Sequence, residues 1–226
     1  RFGEYGIHNL DDLADAKLAV TRALGTEGLL VLNADDETLV RKASTLSCPL
    51  AWFALDDAHP RLAAHRATGG LTCGAGAGHL WLHKDGQAHD LGAVAEMPLV
   101  AGGAASYNLA NAAGAALVAT ALGILPSTIA GVLARFGISR ADNPGRFERW
   151  DLGGLTVVMD YAHNPEGLAA LLDVARSLKR EGRLGLLLGQ AGNREDGAIR
   201  DLAAAAAAAD PDFVVLKDLD GYLRGR

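Results

Sequence analysis

The sequence predicts an α/β protein built in two successive parts. Three observations carry this. Continuous apolar runs at 28–32 and 49–55 alternate with helical patterns, the rhythm of a parallel sheet. Strong turn chemistry, Asp142-Asn143-Pro144-Gly145, then separates two periodic regions. Beyond it the strand–helix alternation starts again. The expected division is 1–140 and 141–226.

The elements follow in order. Residues 9 to 24 read as an amphipathic helix with Leu10, Leu13, Ala14, Leu18 and Val20 on its apolar side and Gly25 at its end. A buried strand at 28–32 stops at Asn33-Ala34-Asp35-Asp36, which can cap a helix containing Leu39 to Ala43. A second strand spans Pro49 to Leu55. From Gly69 to Pro98 the chain turns Gly- and His-rich, with short alternating runs and a turn at Asp85-Gly86, predicting antiparallel hairpins. Alanine-rich helices follow at 107–122 and 126–136, with Pro126 in the first turn and Gly137 past the end. The second part opens on a hairpin, Trp150 to Met159, turning at Gly153-Gly154. A helix from Pro165 to Lys179, a strand at 184–188, a helix at about 195–209 and a strand at 213–216 complete the pattern.

Composition narrows the function classes. Half of the 226 residues are apolar, enough to bury a core. A formal charge of −6 argues against a nucleic-acid footprint. No apolar run is long enough to span a membrane, and no signal-peptide pattern opens the chain. Cys48 and Cys73 lie far apart without metal-like spacing, so a reduced, cytoplasmic setting is the default.

Two polar motifs flank the predicted hairpin: Asn143-Pro144-Gly145-Arg146-Phe147-Glu148 and Asp160-Tyr161-Ala162-His163-Asn164-Pro165. They set an arginine, an aspartate and a histidine on adjacent strand ends, where open α/β sheets place ligand chemistry. The grouping suits a polyphosphate: Arg146 for phosphate charge, Asp160 for ribose hydroxyls, His163 for a phosphate or transferred group. Asn164 and Pro165 also read simply as the cap and first residue of a helix. Asn108 and Asn111 share a helix face. They fit either helix capping or amide pairing with an adenine edge.

Together with other tags, these motifs resemble the Mur ligase superfamily, in particular its cyanophycin synthetase-like branch. The tags are Gly3-Glu4-Tyr5-Gly6-Ile7 and the run from Asp11 to Lys17, Leu32-Asn33-Ala34-Asp35-Asp36, Tyr107 to Ala113, and Leu223-Arg224-Gly225-Arg226. They occur in the family's order and span nearly the whole chain.

The resemblance implies the latter portion of a central ATPase domain followed by a Rossmann-like C-terminal ligase domain. It implies an ATP- and magnesium-dependent ligase that joins a carboxylate to an amine through an acyl phosphate. The partners would be an amino acid such as arginine and an acidic peptide or polymer, with neither nucleic acid nor membrane; a homo-oligomer is compatible. Asn108, Asn111, Arg146, Asp160, His163 and Asn164 would bind the nucleotide, with Arg146 and His163 also catalytic. Lys17 matches a lysine that is carbamylated in many relatives and holds magnesium. The family's metal-binding histidine has no match, because its position falls at or before Arg1. Gly192, Asn193, Arg194 and Asp196 form a loop expected on the amino-acid side.

The chain contains no Gly-Lys-Ser/Thr phosphate loop. The loop is expected either upstream in a longer protein or lost in a non-catalytic nucleotide-binding or assembly protein. Peptidoglycan and folylpolyglutamate ligases are further relatives of the same chemistry. A dinucleotide oxidoreductase is disfavoured by the lack of Gly-x-Gly-x-x-Gly between a strand and a helix. Gly74-Ala75-Gly76-Ala77-Gly78 is not a phosphate-loop pattern, and His79 and His83 read as strand residues rather than zinc ligands.

Overall fold

The computed structural model describes residues 5–25, 28–179, 181–189 and 196–217. The chain divides into two compact units, Arg1–Phe136 and Gly137–Arg226.

The first unit is a five-stranded sheet in the order β1-β2-β3-β4-β5. Strands β1 (Leu30–Asn33), β2 (Leu50–Asp56) and β3 (Thr72–Gly76) run parallel. Strands β4 (His79–Lys84) and β5 (Gln87–Ala93) continue the sheet antiparallel. Residues 69–98 are therefore not all hairpin. Strand β3 closes a parallel crossover from β2, through a helix at Pro60–Arg66 for which the sequence reading had no counterpart. The two hairpin turns, Ala77-Gly78 and Asp85-Gly86, hold both central residues at positive φ. Turns of that kind match the twist of paired strands.

The first helix, α1 (Leu10–Leu18), is capped by Asn9, whose side chain accepts from the Asp12 amide at 2.9 Å. It ends earlier than predicted and passes into a 3-10 segment at Ala19–Ala23. Val20 and Thr21 are β-branched and crowd the preceding turn. The Thr21 hydroxyl also bonds back to the Leu18 carbonyl at 2.7 Å. The expected apolar side is only partly buried: Ala14 and Leu18 are inside, Leu10 and Val20 exposed. Helix α2 (Glu37–Ala43) is capped by Asp36, which accepts from the Thr38 and Leu39 amides. Helix α3 is Pro60–Arg66.

Strand alternation sends side chains into two cores. On one face Ala51, Cys73, Leu80, Leu82 and Leu91 meet Leu109, Ala112, Ala113, Ala116 and Leu117 of α4 (Ser106–Ala121) and Ile129 of α5 (Pro126–Leu133). On the other, Leu32, Trp52 and Ala54 meet Leu18, Ala43 and Leu62. The alanines and Gly114 let α4 approach closely. An added Cβ at Gly114 would lie 3.2 Å from the Phe53 ring.

A polar staple joins the elements around β3. Asp57 accepts from Arg66 at 2.7 Å and lies 3.1 Å from His83 Nε2. Arg66 also donates to the Asp57 carbonyl at 2.8 Å. Gly74 passes so close that a Cβ would stand 2.8 Å from the Asp57 Cα. That contact explains part of the glycine-rich run: it is a strand and its turn. His79 pairs with Asp90 instead.

The second unit begins with the hairpin β6 (Glu148–Leu152) and β7 (Leu155–Met159), turning at Gly153-Gly154 as expected. Helix α6 (Pro165–Lys179), strand β8 (Gly185–Leu188), helix α7 (Asp196–Ala208) and strand β9 (Phe213–Leu216) follow. Strands β8 and β9 pair in parallel, forming a two-stranded sheet separate from the hairpin. Leu168, Leu172, Leu184, Leu202, Ala206 and Ala209 make this unit's core. Among the described residues no helix is long and apolar enough to cross a membrane.

Candidate functional site

The second unit's site is built around a strained turn. Phe147 sits at φ 49°, in the left-handed region that costs a non-glycine residue on the order of 1 kcal/mol or more. Three hydrogen bonds hold it. The Arg146 amide donates to the Asn143 carbonyl at 3.1 Å, and the Gly145 amide donates to the Glu148 carboxylate. The Phe147 amide donates to Asp160 Oδ2 at 2.8 Å. The hairpin register, which pairs Glu148 with Met159, brings the two motifs side by side.

Three side chains line up on this frame. The Arg146 guanidinium lies 5.3 Å from the centroid of the Tyr161 ring. The Tyr161 and His163 rings are 5.3 Å apart. His163 Nδ1 is 3.0 Å from the Tyr161 carbonyl. A carbonyl only accepts, so Nδ1 carries a proton and Nε2 is left for another partner. Arg146, Tyr161 and His163 are all exposed. Asn164 caps α6: its Oδ1 accepts from the Gly167 amide at 2.7 Å. The result is a cation on an aromatic face, an imidazole whose Nε2 donates only in the doubly protonated form, and the opening turn of a helix. The arginine and the helix turn can meet an anion. Tyr161 is the residue that sequence reasoning passed over. Its signal was an aromatic between the aspartate and histidine of one motif.

Asp160 does more than its strand-end position suggests. One oxygen is spent on the Phe147 amide, so the carboxylate pins the turn that carries Arg146. The other oxygen has no protein donor among the described residues.

The remaining residues are placed as follows. Asn108 is buried, and its Nδ2 donates to the Leu99 carbonyl at 2.9 Å. It does not cap α4, whose N-cap position is Ala105 without a side-chain bond. Asn111 is exposed one turn further on. Lys17 is exposed on α1. The helix's acids Asp11 and Asp15 bond to Arg41 at 2.9 Å and Lys42 at 2.7 Å. Among the described residues no group of histidine, cysteine, aspartate and glutamate side chains converges to hold a cation. No step is assigned to Lys17. Asp196 is exposed at the start of α7. Gly192, Asn193 and Arg194 lie outside the described residues, as does Leu223 to Arg226.

Known proteins match in the same regions. Residues 145–222 match the family described as Mur ligase, glutamate ligase domain. Cyanophycin synthetase of Nostoc sp. is 30% identical over 97% of this chain and 24% of its own length. The UDP-N-acetylmuramoyl-L-alanyl-D-glutamate--2,6-diaminopimelate ligase of Corynebacterium efficiens is 35% identical over 54% of this chain and 22% of its own. The apo form of L. casei FPGS shares the fold at TM-score 0.57 and 19% identity, covering 99% of this chain and 48% of that one. The chain spans about a quarter of the length of the curated relatives it matches. The comparisons together show a match to the Mur ligase, glutamate ligase domain family over residues 145–222, and a similarity over nearly the whole chain to about a quarter of cyanophycin synthetase.

Proposed function

We propose that this chain is part of an ATP-dependent ligase that joins an amino acid to an acidic side chain or peptide. The observation that carries the reading is the Arg146–Tyr161–His163 row, built by two motifs of a chain similar to part of cyanophycin synthetase. In the proposed reaction the acceptor carboxylate attacks the terminal phosphorus of ATP, forming an acyl phosphate and ADP. The amine of the incoming amino acid then attacks the acyl carbon. Phosphate leaves with the bonding electron pair, the amine loses a proton, and an amide remains.

This chain's residues contribute charge and position. Arg146, placed over the Tyr161 ring, offers its N–H groups to the transferring phosphoryl group. The Nε2 of His163 stands ready to meet a phosphate oxygen when protonated. Asp160 keeps the Arg146 turn in place and presents its second oxygen to ribose hydroxyls. Asn108 and Asn111 serve the adenine, Asn108 through its carbonyl oxygen, since its amide nitrogen is already engaged. ATP would bring magnesium as its own counter-ion. The 192–196 loop would serve the amino acid.

The test uses the intact protein, with ATP, a panel of amino acids and a synthetic acidic peptide, following ADP release and peptide mass. Release should require both co-substrates and add one amino-acid residue to the peptide. Residues 1 to 226 alone should show no turnover, since they contain no Gly-Lys-Ser/Thr loop to cradle the β- and γ-phosphates. Nucleotide binding by the intact protein without any coupled ADP release would refute the ligase reading and favour a non-catalytic nucleotide-binding protein.

A further inference from the structure

The same unit holds a second cationic feature that the reaction above does not use. An open surface depression is lined by Ile138, Ser139, Arg140, Ala141 and Arg149. Its lining carries two arginines and no acid.

The segment bearing Arg140 is fixed in shape. The Ser139 hydroxyl accepts from the Ala141 amide, and Asp142 Oδ2 accepts from the Gly137 and Ser139 amides at 3.0 and 3.1 Å. The nearest acid in sequence is thus turned back onto backbone. Arg140 has no acidic partner among the described residues. Its guanidinium lies 5.3 Å from the centroid of the Trp150 ring. A guanidinium placed over a ring gains a cation–π contact and keeps N–H donors for an oxyanion. Arg149 gives Nη2 to Asp151 at 3.1 Å. Bonds from Thr156 and Arg149 hold the Asp151 carboxyl below its usual range, so it stays charged at neutral pH. Arg149 retains further N–H donors beyond that bond.

We propose that Arg140 and Arg149 form a carboxylate-binding subsite for the acidic acceptor chain, an assignment that rests on the ligase reading above. Two cations would repel the side chain of a basic amino acid, so the depression suits an acidic acceptor better than an arginine substrate. The exposed Ile138 beside them offers contact to the methylene of an aspartate or glutamate. Carboxylates repeated along an acidic chain would engage the pair away from the reacting group, helping to retain the polymer between additions.

Two measurements on the intact protein test this. The first is steady-state kinetics of the Arg140→Gln/Arg149→Gln variant with an oligo-aspartate acceptor. KM for the acceptor should rise about tenfold or more, the loss of at least one charge-assisted bond. KM for ATP and kcat should stay within about twofold, a change too small to represent a lost contact. The second is direct binding without nucleotide, read by quenching of Trp150 with oligo-aspartate and, separately, inorganic phosphate. Trp150→Phe identifies the signal. Oligo-aspartate binding that depends on Arg140 supports the subsite even if no turnover is found, in which case the ligase reading alone fails. Unchanged acceptor KM or unchanged oligo-aspartate affinity in the variant overturns the subsite. Phosphate binding as tightly as oligo-aspartate overturns the carboxylate assignment.

Discussion

Replacing Arg146 by alanine in the intact protein should lower kcat by on the order of 10²-fold or more while changing ADP affinity only a few-fold. The arginine is exposed and rests on Tyr161, so its removal uncovers no core. On the proposed reading, what is lost is a guanidinium that would meet the charge developing on the phosphoryl group. Arg146→Lys should recover little. Lysine restores the charge but not the planar fork of donors. Tyr161→Ala should produce a weaker version of the same defect, because the arginine would remain without its platform. Pre-steady-state ADP formation with saturating ATP separates chemistry from binding. Equal turnover in Arg146→Ala and the parent sequence would remove Arg146 from the mechanism.

Asp160 should give the second largest effect, and the structure splits it into two causes. Asp160→Ala removes a carboxylate expected to take ribose hydroxyls, a loss of roughly 1.5–3 kcal/mol, or about 10- to 150-fold in nucleotide affinity. It also frees the Phe147 amide and with it the turn carrying Arg146. Asp160→Asn keeps a carbonyl oxygen for the Phe147 amide but loses the charge. If ribose binding dominates, both variants weaken ATP binding in calorimetry. If turn positioning dominates, only the alanine variant loses turnover, and the asparagine variant recovers it. ATP affinity unchanged in both would rule out the ribose role.

How much could be read in advance depended on how local the determining chemistry was. The β6–β7 hairpin was legible because Gly153-Gly154 specifies its own turn. The long helix α4 was legible because alanine and small residues fill a whole helical span. The strained Phe147 turn was not, because its stabilising acceptor, Asp160, lies 13 positions away. Helix α3 escaped for a related reason. It is short, begins at a proline, and is held by Arg66 reaching Asp57 rather than by a long periodic face. Strand β3 looked like hairpin because its glycines weaken the strand pattern. Its parallel pairing with β2 depends on close approach to Asp57, a contact invisible in a linear chain. At the site, the motifs drew attention to Arg146, Asp160 and His163. What they could not convey was that Tyr161 lies beside both Arg146 and His163, its ring 5.3 Å from each.

One buried residue gives this molecule a built-in reporter. Cys73 sits on β3 in the main core with no exposed surface, and burial together with the nearby Asp57 charge pushes its thiol pKa up. Only a thiolate reacts with alkylating reagents, so the folded state withholds both access and reactivity. Cys48, which is partly exposed, has no such protection from burial. Modification of Cys73 should therefore wait for the sheet to open, and its rate under native conditions would measure that opening without denaturant or an added label. Repeating the measurement with ATP present would test whether nucleotide binds and steadies the first unit, since a ligand that prefers the closed form slows opening.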